Sequence, residues 1–289
     1  MPEKHKTGDR SGEDATVEDF KDRVAVITGG GSGIGEGLGV VLSRLGAHVV
    51  LADVAPERVD QAAKRLRDAT GGKALGVVAD VASPRSVEDL ADAAYAAFGT
   101  VNLLFNNAGV TSVGTTWETP LADWRRILDV NLMGCVHGVR SFVPRMLAGG
   151  QPGHIVNTSS MAGVLPVPLK APYSASKHAI IGLSQALAAE LRAIDADIGV
   201  SVCCPGAVAT TMTGDTLRFY EDKDITEADR ALLVALRDRC AAGMSPEQAG
   251  EVVVEAIRRG RFWVWPNGQD YAPMVAQAHA AMLAEAVGR

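Results

Sequence analysis

The chain has 289 residues, 47% hydrophobic and 21% charged, an ordinary composition for a globular domain with ample material for a core. A net charge of −6 without a basic run gives no electrostatic case for nucleic acid, and no stretch of about 18 apolar residues exists to span a membrane. The four cysteines show no Cys-x-x-Cys spacing and are too few for a disulfide framework, which argues for a reducing compartment.

Residues 1–20 are dominated by Glu, Lys, Asp, Gly and Ser and read as a flexible tail. They lack the apolar core of a signal peptide, which points to the cytoplasm. The apolar run from Arg23 to Thr28, closed by glycines, predicts a buried strand. Gly29 to Gly35 forms a turn, and a helical pattern follows to Leu45 before Gly46 stops it. His48 to Ala52 predicts a second strand, ending at Asp53. Pro56 to Ala69 predicts an amphipathic helix with Val59, Ala62, Ala63 and Leu66 on one face. Ala74 to Ala79 predicts a third strand, followed by Asp80. Ser83-Pro84 is an N-cap with proline at the first helical position, opening a helix that stops near Gly99.

Val101 to Phe105 predicts a fourth strand, ending in Asn106-Asn107-Ala108-Gly109. One long helix is expected from about Leu121 to Leu147, then a fifth strand from His154 to Thr158. The helix carrying Tyr173 and Lys177 runs to about Arg192, and Ile198 to Cys204 forms a sixth strand closed by Pro205-Gly206. Ser245-Pro246-Glu247-Gln248 is a capping-box start for a helix through Ile257, and Arg261 to Trp265 predicts a seventh strand. Strand and helix alternate, and the early strands lack polar alternation. The expected class is therefore α/β, one domain over residues 21–289, with a doubly wound parallel sheet of about seven strands and helices on both faces.

Two stretches carry chemistry. Tyr173 and Lys177 are four residues apart, which on a helix places them on one face, with Cβ atoms about 5–6 Å apart. A free tyrosine has a pKa of about 10, and a neighbouring ammonium lowers it, so the pair suits general acid–base work. Thr28-Gly29-Gly30-Gly31-Ser32-Gly33-Ile34-Gly35 joins the first strand to its helix. Glycines there let the backbone approach a pyrophosphate at the helix N-terminus. Asp53, at the end of the second strand, can hold the ribose 2′-hydroxyl of NAD and repel the 2′-phosphate of NADP; the plainer alternative is an Asp that caps the helix beginning at Pro56. The six histidines show no metal-ligand spacing, so no metal is expected. His178 reads as surface or packing, Cys203-Cys204 as core, and Met274 and Met282 of the final helix as packing.

With these motifs in place, the chain resembles the short-chain dehydrogenase/reductase family from about Lys21 to Arg259. The matching residues are Thr28-Gly29-x-x-x-Gly33-Ile34-Gly35, Asp80-Val81, Asn106-Asn107-Ala108-Gly109, Asn131, Ser160, Tyr173-x-x-x-Lys177 and Pro205-Gly206-x-Val208-x-Thr210. The resemblance implies a Rossmann fold and an oxidoreductase that moves a hydride between NAD and a secondary alcohol or ketone. It implies that Tyr173 transfers the proton, Lys177 holds the nicotinamide ribose and lowers the Tyr173 pKa, and Ser160 bonds the substrate oxygen. Ser159 competes for that last role, and the spacing to Tyr173 favours Ser160. Asn131 would bend its helix and hold a water linked to Lys177. Around the cofactor it implies Gly29, Ser32, Gly33, Ile34 and Gly35 at the pyrophosphate, Asp53 at the ribose, and Asp80 with Val81 at the adenine. Asn107, Ala108 and Gly109 would lie against it, and Pro205, Gly206, Val208 and Thr210 would surround the carboxamide.

The resemblance also implies a homotetramer or homodimer joined through the helices near 121–147 and 173–192. An NADPH-dependent 3-oxoacyl-thioester reductase is the competing enzyme, disfavoured by Asp53 and Ser32. A nucleotide-binding redox sensor without turnover would have no need of Ser160, Asn131, Tyr173 and Lys177 together. A lid is expected over residues 211–244, long and charged, with Arg218, Glu221, Asp222, Lys223 and Asp224; its structure is not legible. The loop Val164-Leu165-Pro166-Val167-Pro168-Leu169 is expected to wall the pocket and favour an apolar small-molecule substrate over a carboxylated or phosphorylated one.

Overall fold

The computed structural model describes residues 16–223 and 225–286. In chain order it runs β1 (Val24–Thr28), α1 (Gly33–Arg44), β2 (His48–Asp53), α2 (Pro56–Thr70), β3 (Ala74–Val78), α3 (Pro84–Phe98) and β4 (Leu103–Asn106). It continues with α4 (Leu121–Leu128), α5 (Gly134–Gly149), β5 (Gly153–Thr158), α6 (Ala171–Ala193) and β6 (Ile198–Cys203). The chain then forms α7 (Met212–Phe219), α8 (Glu227–Ala241), α9 (Pro246–Arg258), β7 (Trp263–Val264) and α10 (Ala272–Ala286). The seven strands form one parallel sheet in the order β3-β2-β1-β4-β5-β6-β7.

The strands lack polar alternation because both faces of the sheet are covered. Within β1, Ala25 and Ile27 join a core with Leu38 and Leu42 of α1, Leu66 of α2 and Ile257 of α9. Val24 and Val26 point the other way, into a core with Leu90 of α3, Phe142 of α5 and Leu187 of α6. The period-two geometry of one strand thus feeds two cores. The order reverses at β1, whose neighbours are β2 and β4, and this opens a crevice at the carboxyl ends of the strands, the usual ligand position in such sheets.

Glycines set the approach of α1 to α9. A Cβ on Gly37 would lie 2.4 Å from the Pro246 carbonyl carbon, and one on Gly250 would lie 3.0 Å from Leu38 Cα. The predicted caps form: the Ser83 hydroxyl accepts from the Ser86 amide, and Ser245 and Gln248 make the reciprocal capping box.

Several expectations need correction. The helix expected over 121–147 is interrupted by a π-helical turn, Asp129–Met133, which separates α4 from α5. Of the tail expected over 1–20, residues 1–15 lie outside the described residues, while Val17 and Phe20 are buried in the core beside α9. Arg258 secures that segment by donating to the Glu18 carbonyl at 3.4 Å and lying over the Phe20 ring. Met274 and Met282 do not pack: both are exposed, and α10 buries no residue. The segment expected to form a lid consists of α7 and α8, whose Leu233 packs with Tyr220 and Val113; Asp224 lies outside the described residues.

Candidate active site

A cavity of about 440 Å³ occupies the crevice. One end is built by the turn after β1. Gly29 has φ +63°, and a Cβ there would lie 2.8 Å from Ala108 Cα; a Cβ on Gly35 would lie 2.3 Å from the Gly29 carbonyl oxygen. Side chains at either position would push the turn away from the segment after β4. Gly33, at φ +55°, opens α1 against Thr210, and Ile34 lines the cavity behind it. Ser32 is the extended N-cap residue of α1, but its hydroxyl caps nothing and lies 3.3 Å from that of Thr211. The first amides of α1 therefore face the cavity with the positive end of the helix dipole.

Thr28, not singled out by the sequence as a site residue, knits this turn to the next. Its hydroxyl accepts from the amides of Asn107 and Ala108 at 3.0 and 3.1 Å. The Asn107 side chain returns a bond to the Thr28 carbonyl at 3.0 Å. The available signal was its place as the first residue of the glycine motif. Gly109 comes close to both Asn131 and Lys177, at 3.4 Å from a built Cβ.

Asp53 lines the same end. Its carboxylate accepts from the Gly31 amide at 3.2 Å and the Ala55 amide at 3.1 Å, so it supports the turn and the entry to α2 without capping that helix, whose N-cap residue is Ala55 with no side-chain cap hydrogen bond. Asp80 and Val81 line the cavity at the end of β3; Asp80 accepts from the Ala82 amide at 2.9 Å, and the Val81 carbonyl accepts from His137 Nδ1 at 2.8 Å. Arg58 was missed by the sequence reading. It lines this end and makes two 3.0 Å hydrogen bonds to Asp215 of α7.

The other end holds Ser160, Tyr173 and Lys177. The Ser160 hydroxyl accepts from the Ala162 amide at 3.1 Å and is hydrogen-bonded to the Tyr173 phenol. Ser159 donates instead to the Lys177 carbonyl at 2.7 Å and is buried, so the geometry separates the two serines. Lys177 is buried and its ammonium donates to the Thr158 carbonyl at 2.8 Å. The Asn131 amide sits on the π-helical turn, where its oxygen accepts from the Val110 amide at 2.8 Å and its nitrogen donates to the Val110 carbonyl and Ser176 hydroxyl, both at 3.0 Å. Asn131 thus fixes the segment after β4 against α6. Pro205, Gly206, Val208 and Thr210 line the floor beyond β6. A Cβ on Gly206 would strike the Tyr271 ring at 2.2 Å.

Burial pulls the Lys177 ammonium down to about 8. It also raises the Tyr173 phenol above its ordinary value, against the lowering effect of the Ser160 hydrogen bond. This differs from the expected lowering: desolvation outweighs Ser160, and Cys240 and Cys204 act in the same direction as desolvation. A protonated phenol is suited to donating toward a developing alkoxide.

The loop expected to wall the pocket is thinner than the sequence suggests. Of Val164 to Leu169, only Val167 lines the cavity; Val164 packs near Ile180 and Leu169 near Val113. Lys170 follows immediately and does line it, so the argument that no donor is present for a carboxylated substrate does not hold. His178 is exposed, and Cys203 and Cys204 are buried in the core, as expected.

The family model described as short chain dehydrogenase matches residues 23–220. The 1-deoxy-11-beta-hydroxypentalenate dehydrogenase of Streptomyces exfoliatus is 42% identical over 247 residues, covering 85% of this chain and 83% of that protein. The C alpha-dehydrogenase of a Sphingobium species is 36% identical, over 86% of this chain and 82% of that protein. Among solved structures, a short chain dehydrogenase/reductase from Burkholderia phymatum in complex with NAD is similar with a TM-score of 0.88 and 36% identity, covering 93% of this chain and 97% of that one.

Proposed function

The chain belongs to the short-chain dehydrogenase/reductase family, and on that premise we propose that it is an NAD-dependent dehydrogenase of a secondary alcohol, or reductase of the matching ketone. The observation that carries this reading is the meeting of Ser160, Tyr173 and Lys177 at one end of a cavity whose other end is the glycine turn and Asp53.

The residues fit a dinucleotide. Gly29 and Gly35 let the turn close on Ala108 and on the Gly29 carbonyl, where a Cβ would clash, and the uncapped N-terminus of α1 offers amides to a pyrophosphate. Asp53 suits a ribose diol and repels a 2′-phosphate. Asp80 and Val81 would flank the adenine, and Lys177 would bond the second ribose. NAD supplies or accepts the hydride when bound. The chain's own part is acid–base chemistry and positioning. Ser160 holds the substrate oxygen, and Tyr173 gives that oxygen a proton in reduction or removes one in oxidation. Asn131 keeps α6 aligned with the segment after β4, and a water held near this turn would link Lys177 to solvent.

The competing reading, an NADPH-dependent 3-oxoacyl-thioester reductase, needs a cation for the 2′-phosphate. Arg58 is placed for that task, but Asp215 holds it. We further take the protein to act in the cytoplasm as a homotetramer or homodimer through α4, α5 and α6; Leu121 of α4, Leu147 of α5 and Met133 of the turn between them are exposed, and light scattering tests the assembly. Among the described residues no helix is long and apolar enough to cross a membrane. A panel of secondary alcohols and ketones assayed with NAD(H) and NADP(H) tests the reaction: turnover with NAD(H) is expected, and its absence with every member overturns it.

A further inference from the structure

The cavity contains two buried lysines, and the proposed chemistry uses one. The second, Lys170, is only 8% exposed. Its ammonium has one long hydrogen bond, 3.4 Å to the Thr111 hydroxyl. It lies 5.7 Å from the centroid of the Tyr173 ring, and Lys177 lies 5.6 Å from the same centroid. The groups that face it are Thr111 from the segment after β4, Tyr173 on α6 and Cys240 on α8. Arg239 lines the same cavity and donates to the Tyr271 hydroxyl at 3.2 Å. Among the described residues no carboxylate pairs with Lys170. A buried charge without a counter-charge is costly, and natural sites rarely keep one without a use.

The backbone at this point is also unusual. Leu169, the preceding residue, has φ +63°, a left-handed conformation that is strained for a non-glycine residue. The bend is held by a hydrogen bond from the Gly114 amide to the Leu169 carbonyl at 2.9 Å, and by packing of Leu169 near Val113. It turns the chain so that Lys170 lines the cavity, beside Val167, while Pro166 and Pro168 lie on the surface.

We propose that Lys170, with Thr111, is the subsite for a carboxylate on the substrate, so that the substrate is a hydroxy acid or the matching keto acid. This rests on the dehydrogenase reading above and narrows its substrate class. One ammonium and one hydroxyl match a singly charged group with two oxygens, whereas a phosphate would bring a second charge, and the other buried cation of the cavity, Lys177, is taken by the cofactor ribose in the proposed function. Met161, Val167, Met212 and Leu236 line the remaining space, so the rest of the substrate is apolar.

The subsite predicts a pH signature. Burial holds Lys170 at about 8 in the free protein. A bound carboxylate favours the ammonium, so binding is strong below that value and weakens as pH rises through it. Tyr173 and Lys177 act on acid and ester alike, and Arg239 is engaged by the Tyr271 hydroxyl. The acid-to-ester ratio of kcat/KM therefore isolates Lys170.

The test uses secondary hydroxy acids with one to eight carbons between carbinol and carboxylate, each beside its methyl ester, assayed with NAD. For at least one chain length the acid is expected to be preferred, with the ratio falling as pH rises through about 8. Lys170→Met should lower that ratio about ten- to a hundredfold, the usual worth of a hydrogen bond to a charged group, and Lys170→Arg should restore part of it. A ratio unchanged in Lys170→Met, or esters preferred at every length, overturns the subsite. If no compound turns over, the dehydrogenase reading fails by itself. Calorimetric titration with the same acids then decides the subsite separately: tighter binding to wild type than to Lys170→Met supports it, and equal binding overturns it.

Discussion

Arg58 of α2 and Asp215 of α7 are joined by two hydrogen bonds of 3.0 Å, across 157 residues of sequence, at the Asp53 end of the cavity. The fork geometry is the one in which guanidinium and carboxylate match best. Both side chains remain partly exposed, so the pair adds about 0–1 kcal/mol to stability. Its greater consequence is positional: it connects α7 to the helix that begins beside Asp53, and it engages the Arg58 guanidinium at that end of the cavity.

Cofactor choice should therefore depend on two carboxylates. With the wild type, kcat/KM is expected to be higher with NAD than with NADP, because Asp53 would face a 2′-phosphate. Asp53→Ala should erode the preference about tenfold or more, the order of one lost charge–charge contact. Asp215→Asn should raise NADP use further in that background by releasing Arg58. Parallel kinetics with both cofactors check this; a wild type that favours NADP would contradict it.

Ser160 should affect the pH dependence as well as the rate. Burial raises the Tyr173 phenol, and the Ser160 hydrogen bond works in the opposite direction. Removing it in Ser160→Ala leaves desolvation less opposed, so the phenolate forms at higher pH. Alcohol oxidation, which needs a proton acceptor, rises with pH; its limb should move upward in the variant. Ketone reduction, which needs the protonated phenol, should then hold to higher pH. An oxidation limb at the wild-type position would show that Ser160 does not touch the titrating group.

The helix crossing makes a prediction about stability alone. A Cβ on Gly37 would lie 2.4 Å from the backbone of Pro246, and backbone cannot swing aside as a side chain does. Gly37→Val should force α1 from α9 and cost at least about 1–3 kcal/mol, the usual range for overpacking. Chemical denaturation measures the loss. A midpoint equal to that of wild type would mean that α1 and α9 do not cross so closely.

The sheet and the glycine turn were legible because their determinants are local. Strands buried on both faces read as unbroken apolar runs, and Ser83-Pro84 and Ser245 to Gln248 signal their helices within four residues. The break at Asn131 was less so: the π-helical turn follows from an amide engaged by Val110 and Ser176, which no window around Asn131 reveals. The lid was illegible because α7 and α8 each bury few residues, and what orders them lies far away, at Arg58 and Val113. Lys170 was hidden for the same reason. It follows an apolar run, and its burial depends on Thr111 and Cys240, distant in sequence.

In the proposed mechanism the Tyr173 phenol moves the proton in an NAD-linked oxidation. Tyr173→Phe removes one oxygen and leaves the ring, and neither the glycine turn nor Asp53 depends on that oxygen. The decisive measurement is kcat of this variant on the best alcohol, with NAD affinity measured alongside by fluorescence titration. A fall in kcat of at least about 10²–10⁴-fold is expected, the usual worth of general acid–base assistance, with NAD still bound. A variant that turns over near the wild-type rate would contradict it.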